Sequence, residues 1–228
     1  MNWFKNLKLA NKINIVNGSV IVITLIISGY ILLGYIYETS VNQAKDMALV
    51  EAELGANKVK REIEITKTQL VELRDSILFV RNNNFSSRQE ITDYFKIILN
   101  NNKNILGIYT IWEPDKFDGK DKEFANTPYH DNIGRFIPYI VRIDDKIVTL
   151  PLHDYNTDGI GDWYLNCKKT KKITLTEPFY YHIKGKYVLL ASLVVPLIDN
   201  EGEFIGLVGA DFKVDFLQQF IKTIQPLK

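Results

Sequence analysis

The stretch that decides the fold is Ile173–Phe212, with the sequence ITLTEPFYYHIKGKYVLLASLVVPLIDNEGEFIGLVGADF. Its apolar run Tyr187–Ile198 is rich in Val, Leu and Ile, which predicts a strand. A turn sequence, DNEG, separates it from the second apolar run, Phe204–Phe212, so the two runs predict an antiparallel hairpin. The glycines of the second run, Gly209 among them, indicate close backbone approach or space for a ligand. Asp211 is the exception in this strand, because a carboxylate there must be paired, exposed or functional.

The composition indicates a folded, aromatic-rich chain of 228 residues with 12 Tyr and 12 Phe. Its 28 basic and 27 acidic residues nearly balance, which argues against a nucleic-acid partner. The single cysteine, Cys167, excludes an intrachain disulfide framework and a Cys-rich metal site, and we expect a buried thiol.

The N-terminal part has the pattern of a membrane anchor. Residues 1–12 carry three lysines and no acidic residue, and residues 13–37 carry no charge. At about 1.5 Å per residue the uncharged run is about 37 Å long, which is enough to cross a bilayer. We therefore predict a transmembrane helix over 13–37, with the N-terminus cytoplasmic and the remainder outside the inner membrane. A cleaved signal peptide or a buried core helix are the alternatives.

A long stalk helix is predicted over residues 38–80. Its apolar stripe has helical spacing and consists of Val59, Ile63, Leu70, Leu73 and Ile77. The stripe can seal a dimer partner, pack on the domain's own sheet, or do both along different lengths.

Residues 81–228 form the predicted extracytoplasmic domain. Ser87 and Glu90 have the spacing of a capping box, which opens a short helix. The predicted order is a break at Arg81–Ser86, a helix through Leu99, strands at Ile105–Trp112, Phe136–Ile143 and Lys146–Leu150, the hairpin, and a closing amphipathic helix at Val214–Ile224. This is an α+β fold with an antiparallel sheet of five or six strands flanked by helices.

Motifs for metal or catalytic chemistry are weak. Asp154–Gly159 (DYNTDG) matches the first half of a calcium loop, but Leu165 occupies the position of the bidentate glutamate, so an Asx-rich turn is the better interpretation. The histidines are scattered, and Asp115, Asp118 and Asp121 indicate a solvated loop. No cofactor or enzymatic activity is expected, and a hydrolase using the acidic loop is a distant rival.

A combination of aromatic and acidic residues is more informative, because ring faces and carboxylates together suit a small organic cation. Core packing is the alternative role for each aromatic residue. The candidate ligand-binding residues in this set are Trp112, Tyr139, Asp162, Trp163, Tyr164, Glu177, Phe179, Tyr181 and Asp211.

With these residues in view, the chain resembles the N-terminal part of a bacterial methyl-accepting chemotaxis receptor with a double Cache sensor. The resemblance is carried by the lead FKNLKLANKI and by GRFIPYIVR (134–142), GDWYLNCKKT (161–170), ITLTEPFYY (173–181) and VVPLIDNEGEFIGLVGADF (194–212). It implies a PAS-like sheet, a homodimer through the N-terminal helix, and a small ligand in the membrane-distal module.

The resemblance also bears on the ligand. Amino-acid-binding members have an Arg two residues before the Trp-Tyr pair, which grips the carboxylate, and an Asp late in the sheet, which takes the ammonium. Trp163, Tyr164 and Asp211 match this pattern, but Gly161 replaces the arginine and Asn156 replaces an expected tyrosine. Without the guanidinium fork, an amine or quaternary ammonium compound becomes the favoured ligand.

Several alternatives remain at this level. Arg135 from another strand can replace the missing arginine, which keeps an amino-acid ligand in consideration, and neutral heterocycles come third. The sensor could serve a histidine kinase or diguanylate cyclase instead, or the chain could be a tethered interaction module without a ligand. The 228 residues contain no second Cache module, second span or signalling region, as expected of a fragment, a truncated product or half of a split sensor.

Overall fold

A computed structural model describes residues 4–83 and 87–214. The helices are α1 (Leu9–Asn82), α2 (Arg88–Asn101), α3 (Asp121–Phe124) and α4 (Asp162–Thr170). The strands are β1 (Gly107–Trp112), β2 (Pro138–Ile143), β3 (Lys146–Pro151), β4 (Thr174–Leu175), β5 (Phe179–Ile183), β6 (Lys186–Ile198) and β7 (Phe204–Lys213). The predicted α+β class is therefore present, with seven strands in place of the expected five or six.

The strands form one antiparallel sheet in the order β3-β2-β1-β7-β6-β4, and β5 pairs with the first part of β6. The predicted hairpin of β6 and β7 lies near its centre, and β7 pairs with β1 on its other side. The β5–β6 turn is Lys184-Gly185, where both residues have positive φ, as the tight turns of twisted hairpins require. Strand β7 therefore has a hydrogen-bonded neighbour along each edge, β6 on one side and β1 on the other.

Each face of the sheet is buried under different elements. One face packs against α1 and α2, and we call it the helix face; it includes Ile108 of β1 and Val208 of β7. The opposite face packs under α4, and we call it the α4 face; it includes Tyr109 of β1 and Leu207 of β7. Neighbouring residues along a strand thus alternate between the two cores.

Helix α1 contributes to two compact units, of which the first extends through Leu54 and the second begins at Gly55. The first unit contains a helical segment long and apolar enough to cross a membrane, with mean hydropathy 2.3 and none of it buried. In the second unit, Leu70, Leu73 and Ile77 are buried against the helix face. This part of the predicted stripe packs on the domain's own sheet.

Helix α2 begins with the predicted capping box. Glu90 N–H donates to Ser87 Oγ (3.3 Å), and Ser87 N–H donates to Glu90 Oε2 (2.7 Å). Arg88, which directly follows Ser87, is 4% exposed. Its guanidinium donates to Asp118 Oδ1 and to Asp121 Oδ1, both at 2.6 Å. The prediction of a fully solvated acidic loop is wrong for Asp121, because its carboxylate is buried with Arg88 and anchors the β1–β2 connection to α2.

Two predictions fall at least partly outside the described residues. They are the closing helix at Val214–Ile224, of which only Val214 is described, and the last part of the break at Arg81–Ser86.

Candidate functional site

The candidate site is centred on Asp211, on the α4 face of β7. In the sheet register Asp211 lies between Gly107 of β1 and Ser192 of β6. Its carboxylate accepts hydrogen bonds from Tyr139 Oη (2.7 Å, to Oδ2) and from Ser192 Oγ (2.6 Å, to Oδ1). Asp211 is buried, with 4% of its surface exposed.

The surroundings of Asp211 disfavour its charged form. Burial raises its pKa to about 6, although hydrogen bonding from Ser192, Tyr139 and Tyr109 acts in the opposite direction. No lysine, arginine or histidine in the described part of the chain forms an ion pair with this carboxylate. A cation brought to Asp211 would offset the desolvation of its charged form.

Two tyrosine rings lie directly on glycine backbone beside this carboxylate. A Cβ atom at Gly107 would come within 2.5 Å of Cε2 of Tyr139, and one at Gly209 would come within 2.5 Å of Cζ of Tyr109. The glycines therefore provide the space that both rings occupy, which confirms the close approach expected at Gly209.

Further aromatic rings surround the two tyrosines. The ring centroids of Tyr109 and Trp163 are 5.2 Å apart, those of Tyr109 and Tyr139 are 5.7 Å apart, and those of Tyr139 and Tyr181 are 6.1 Å apart. All three pairs are edge-to-face, and we call these four residues the aromatic cluster. Ring faces beside a carboxylate are the surroundings that attract an organic cation.

Arg135 belongs to a second polar group on the same face. It is 6% exposed, and its guanidinium donates from Nε to the Trp112 carbonyl (2.8 Å) and from a terminal nitrogen to Tyr164 Oη (3.2 Å). Tyr164 Oη in turn donates to Glu113, whose other oxygen accepts from Lys168 Nζ (2.8 Å). Arg135 is thus held by partners within the domain.

The two polar groups lie at different ends of β1. Arg135 is tied to Trp112, whereas Asp211 is opposite Gly107 in the β1–β7 register. Five residues at about 3.3 Å each separate these positions by about 17 Å along the strand. The ammonium and carboxylate of an α-amino acid are joined through a single carbon atom, so one such ligand would not reach both groups in this arrangement.

Besides Arg135 and Tyr164, the structure places four more predicted site residues away from Asp211. Trp112 lies on the helix face, with its ring centroid 5.0 Å from that of Phe117, because it has the opposite strand parity to Tyr109. Asp162 is exposed and accepts from the Gly159 N–H (2.9 Å), which closes the turn before α4. The other two are Glu177, which is exposed, and Phe179, which is half-buried and packs its ring against that of Tyr181.

Tyr109 and Ser192 are the site residues that the sequence analysis missed. Strand β1 reads GIYTIW, and alternation shows only that Tyr109 and Trp112 face opposite sides. The pairing of β1 with β7 decides which of them faces Asp211, and no local signal gives that register. Ser192 is likewise identified by its register position opposite Asp211.

The histidine and acidic residues form no metal cluster within residues 4–83 and 87–214. In the DYNTDG segment, Asp154 Oδ2 lies 2.6 Å from Nδ1 of His153. The Asp154 carboxylate is therefore paired with a neighbouring side chain.

Comparison with known proteins gives a consistent family. The family described as methyl-accepting chemotaxis protein-like, first PDC sensor domain, matches residues 91–219. The methyl-accepting chemotaxis protein TlpQ of Pseudomonas aeruginosa is 25% identical over 162 residues, which cover 66% of this chain and 22% of TlpQ. The chain thus spans about a fifth of the length of this curated relative.

Solved structures show the same fold. The extracellular domain assigned to the histidine kinase mmHK1S-Z2 matches with a TM-score of 0.61 and 33% identity, covering 79% of this chain and 61% of that one. The methyl-accepting chemotaxis protein X matches with a TM-score of 0.64 and 20% identity, covering 79% and 66%. The Campylobacter jejuni Tlp3 sensory domain with isoleucine bound matches with a TM-score of 0.53 and 14% identity, covering 81% and 64%.

Proposed function

The chain belongs to the methyl-accepting chemotaxis protein-like family of first PDC sensor domains, and from this premise we propose that it senses a small organic cation. The proposed ligand lies on the α4 face, with its positive group at Asp211. In the proposed arrangement, residues 1–12 are cytoplasmic, 13–37 span the inner membrane, 38–80 form a stalk that pairs in a homodimer, and 81–228 form the extracytoplasmic sensor. The unburied apolar segment of α1 supports this assignment.

The observation that carries the proposal is a buried carboxylate with hydroxyl donors but no cationic partner in the described residues. Asp211 accepts from Tyr139 and Ser192, and the aromatic cluster lies beside it. A buried charge of this kind is costly unless it is paired. An organic cation supplies the missing charge, and the rings add cation–π attraction.

An α-amino acid is the second candidate. The Tlp3 sensory domain of Campylobacter jejuni has been solved with isoleucine bound, although its 14% identity supports the fold alone. Here Gly161 stands where the resemblance places an arginine, and Arg135 is tied to the opposite end of β1. We therefore rank an amine above an amino acid.

Strand β7 offers a route from the ligand to α1. Asp211 and Phe212 are neighbours on β7 and face opposite cores, and Phe212 belongs to the same core as Leu70 and Leu73 of α1. A ligand that shifts β7 would change the packing of α1 and bias the stalk between two arrangements. The resulting signal then depends on the output domain to which the stalk is connected.

The proposal is tested by ligand screening on the full chain in detergent, with a panel of amines, amino acids and nucleobases. A ligand at 100 times its Kd should add about 2.7 kcal/mol to the free energy of unfolding, which is visible as a higher Tm. Asp211→Asn should weaken the binding of an amine at least tenfold, since it removes the charge–charge attraction. Asp158→Asn, at an exposed position, is the matched control. Failure of every amine to bind would refute the proposal.

A further inference from the structure

A cavity of about 370 Å³ lies on the helix face, between α1 and α2, and we call it the helix groove. Its floor is apolar and includes Leu70, Leu73 and Ile108, which are buried in the helix-face core. On its α2 wall, Tyr94 and Ile97 are exposed, so the groove opens to solvent. Its volume lies in the range of pockets that hold small organic molecules, which is about 300–1,000 Å³. The groove is on the opposite side of the sheet from the α4 face.

One stripe of each helix forms the walls of the groove. On α1 the lining residues include Thr66, Leu70 and Leu73, and on α2 they include Ile98 and Asn101. Positions three or four apart share one side of a helix, so each helix turns a single stripe towards the groove. A molecule in the groove would therefore contact α1 and α2 together.

The lining of the helix groove carries almost no charge. Among the described residues that line it, Glu72 is the only charged side chain, and it is exposed. No lysine or arginine belongs to this lining, so a carboxylate or phosphate would lose its hydration there without gaining a charged partner. A single exposed carboxylate attracts a cation only weakly, because solvent screens it. The groove therefore suits an uncharged molecule.

Thr66 and Asn102 bring unused hydrogen-bonding atoms to this lining. Thr66 is 5% exposed, and its hydroxyl makes no hydrogen bond to the described residues, whereas that of the nearby Thr68 donates to the Glu64 carbonyl (3.0 Å). Asn102 donates from Nδ2 to the Ile98 carbonyl (2.8 Å), which leaves its Oδ1 atom as an acceptor. Buried hydroxyls are paired in most proteins, so Thr66 points to a partner supplied from outside the chain.

We infer that the helix groove is a second ligand site, which binds a small, uncharged, planar heterocycle. Ring N–H groups of such a ligand donate to the Thr66 hydroxyl and to Asn102 Oδ1, and a ring nitrogen or carbonyl accepts from Thr66. The flat ring lies over the apolar floor and against the ring of Tyr94. Because the ligand contacts both helices, it biases the position of α1 without involving Asp211.

The test is calorimetric titration of the full chain in detergent with matched pairs of ligands. The pairs are nicotinamide with nicotinate and uracil with orotate, which differ chiefly by a carboxylate. We expect the neutral members to bind at least tenfold more tightly than the acids, since no cationic side chain lines the groove.

Two variants locate the binding in the groove. Ser76→Trp places a large ring at an exposed lining position and should weaken the neutral ligands at least tenfold, with a wild-type Tm. Thr66→Val keeps the side-chain shape, removes the hydroxyl and should weaken them about tenfold. Thr68→Trp is the matched control, because Thr68 is exposed on α1 outside the lining and should leave the affinities unchanged.

The outcomes separate this site from the proposed cation site. Asp211→Asn should leave the neutral ligands unaffected, and their loss in that variant would place them on the α4 face and overturn the inference. Binding that survives both Ser76→Trp and Thr66→Val, or the absence of binding by every neutral member, would also overturn it. A dimer that Ser76→Trp dissociates, in a chain that binds no neutral ligand, would identify a second copy as the occupant instead. None of these results changes the test of the amines.

Discussion

At the scale of single residues, the buried Asp211 makes stability depend on pH in an unusual direction. Burial raises its pKa from 3.8 to about 6, so the folded chain holds a proton on Asp211 between these values while the unfolded chain has released it. Stability from this group is therefore fully present below pH 4 and is lost as the pH rises through 6. Two pKa units correspond to about 3 kcal/mol in the free energy of unfolding.

The measurement is the Tm of wild type and Asp211→Asn between pH 4 and pH 7.5, followed by tryptophan fluorescence. Trp112 and Trp163 are buried and report on the two cores. We expect wild type to gain stability relative to the Asn variant as the pH falls from 6 to 4, because asparagine does not titrate. A difference in Tm that is independent of pH would show that Asp211 does not take up a proton on folding.

At the scale of elements, the sequence predicts strands and the β6–β7 hairpin well because their signals are local. Apolar runs and the DNEG turn are enough to place β6 beside β7. Helix α4 was not predicted, and it ends on Lys171 in the left-handed conformation, so the usual glycine signal of a helix C-terminus is missing. Which residues of β1 face Asp211 depends on the register between β1 and β7. That register is set by contacts between residues far apart in the sequence, so no local signal predicts it.

The fit between β1 and β7 gives a prediction for their glycines. Gly209→Ala places a methyl group 2.5 Å from Cζ of Tyr109, and the ring has to move in a buried core. We expect a loss of about 1–3 kcal/mol in the free energy of unfolding and weaker amine binding. Thermal unfolding with and without amine measures both effects.

Gly34→Ala is the control for that substitution, because a Cβ at Gly34 meets no atom within 4 Å. It adds the same methyl group in a helix, where alanine is favoured over glycine, and should not reduce stability. A Gly209→Ala chain with the wild-type Tm and wild-type affinity would contradict the tight packing of Tyr109 on β7.

At the scale of the whole molecule, α1 provides residues to both compact units, so the sensor domain and the candidate membrane span share one helix. The three lysines of residues 1–12 and the uncharged run 13–37 predict a cytoplasmic N-terminus. The positions Lys8 and Lys169, both exposed, then lie on opposite sides of the membrane. This arrangement is open to chemical labelling in cells.

The experiment labels Lys8→Cys and Lys169→Cys chains in intact spheroplasts with a membrane-impermeant maleimide. The native Cys167 gives little background, because burial raises its thiol pKa to about 12 and the side chain is 0% exposed. We expect Lys169→Cys to be labelled from outside and Lys8→Cys only after detergent is added. Labelling of Lys8→Cys from outside would reverse the predicted orientation. Loss of residue 8 from the mature chain by mass spectrometry would instead identify the N-terminal helix as a cleaved signal peptide, because an anchor keeps its N-terminus.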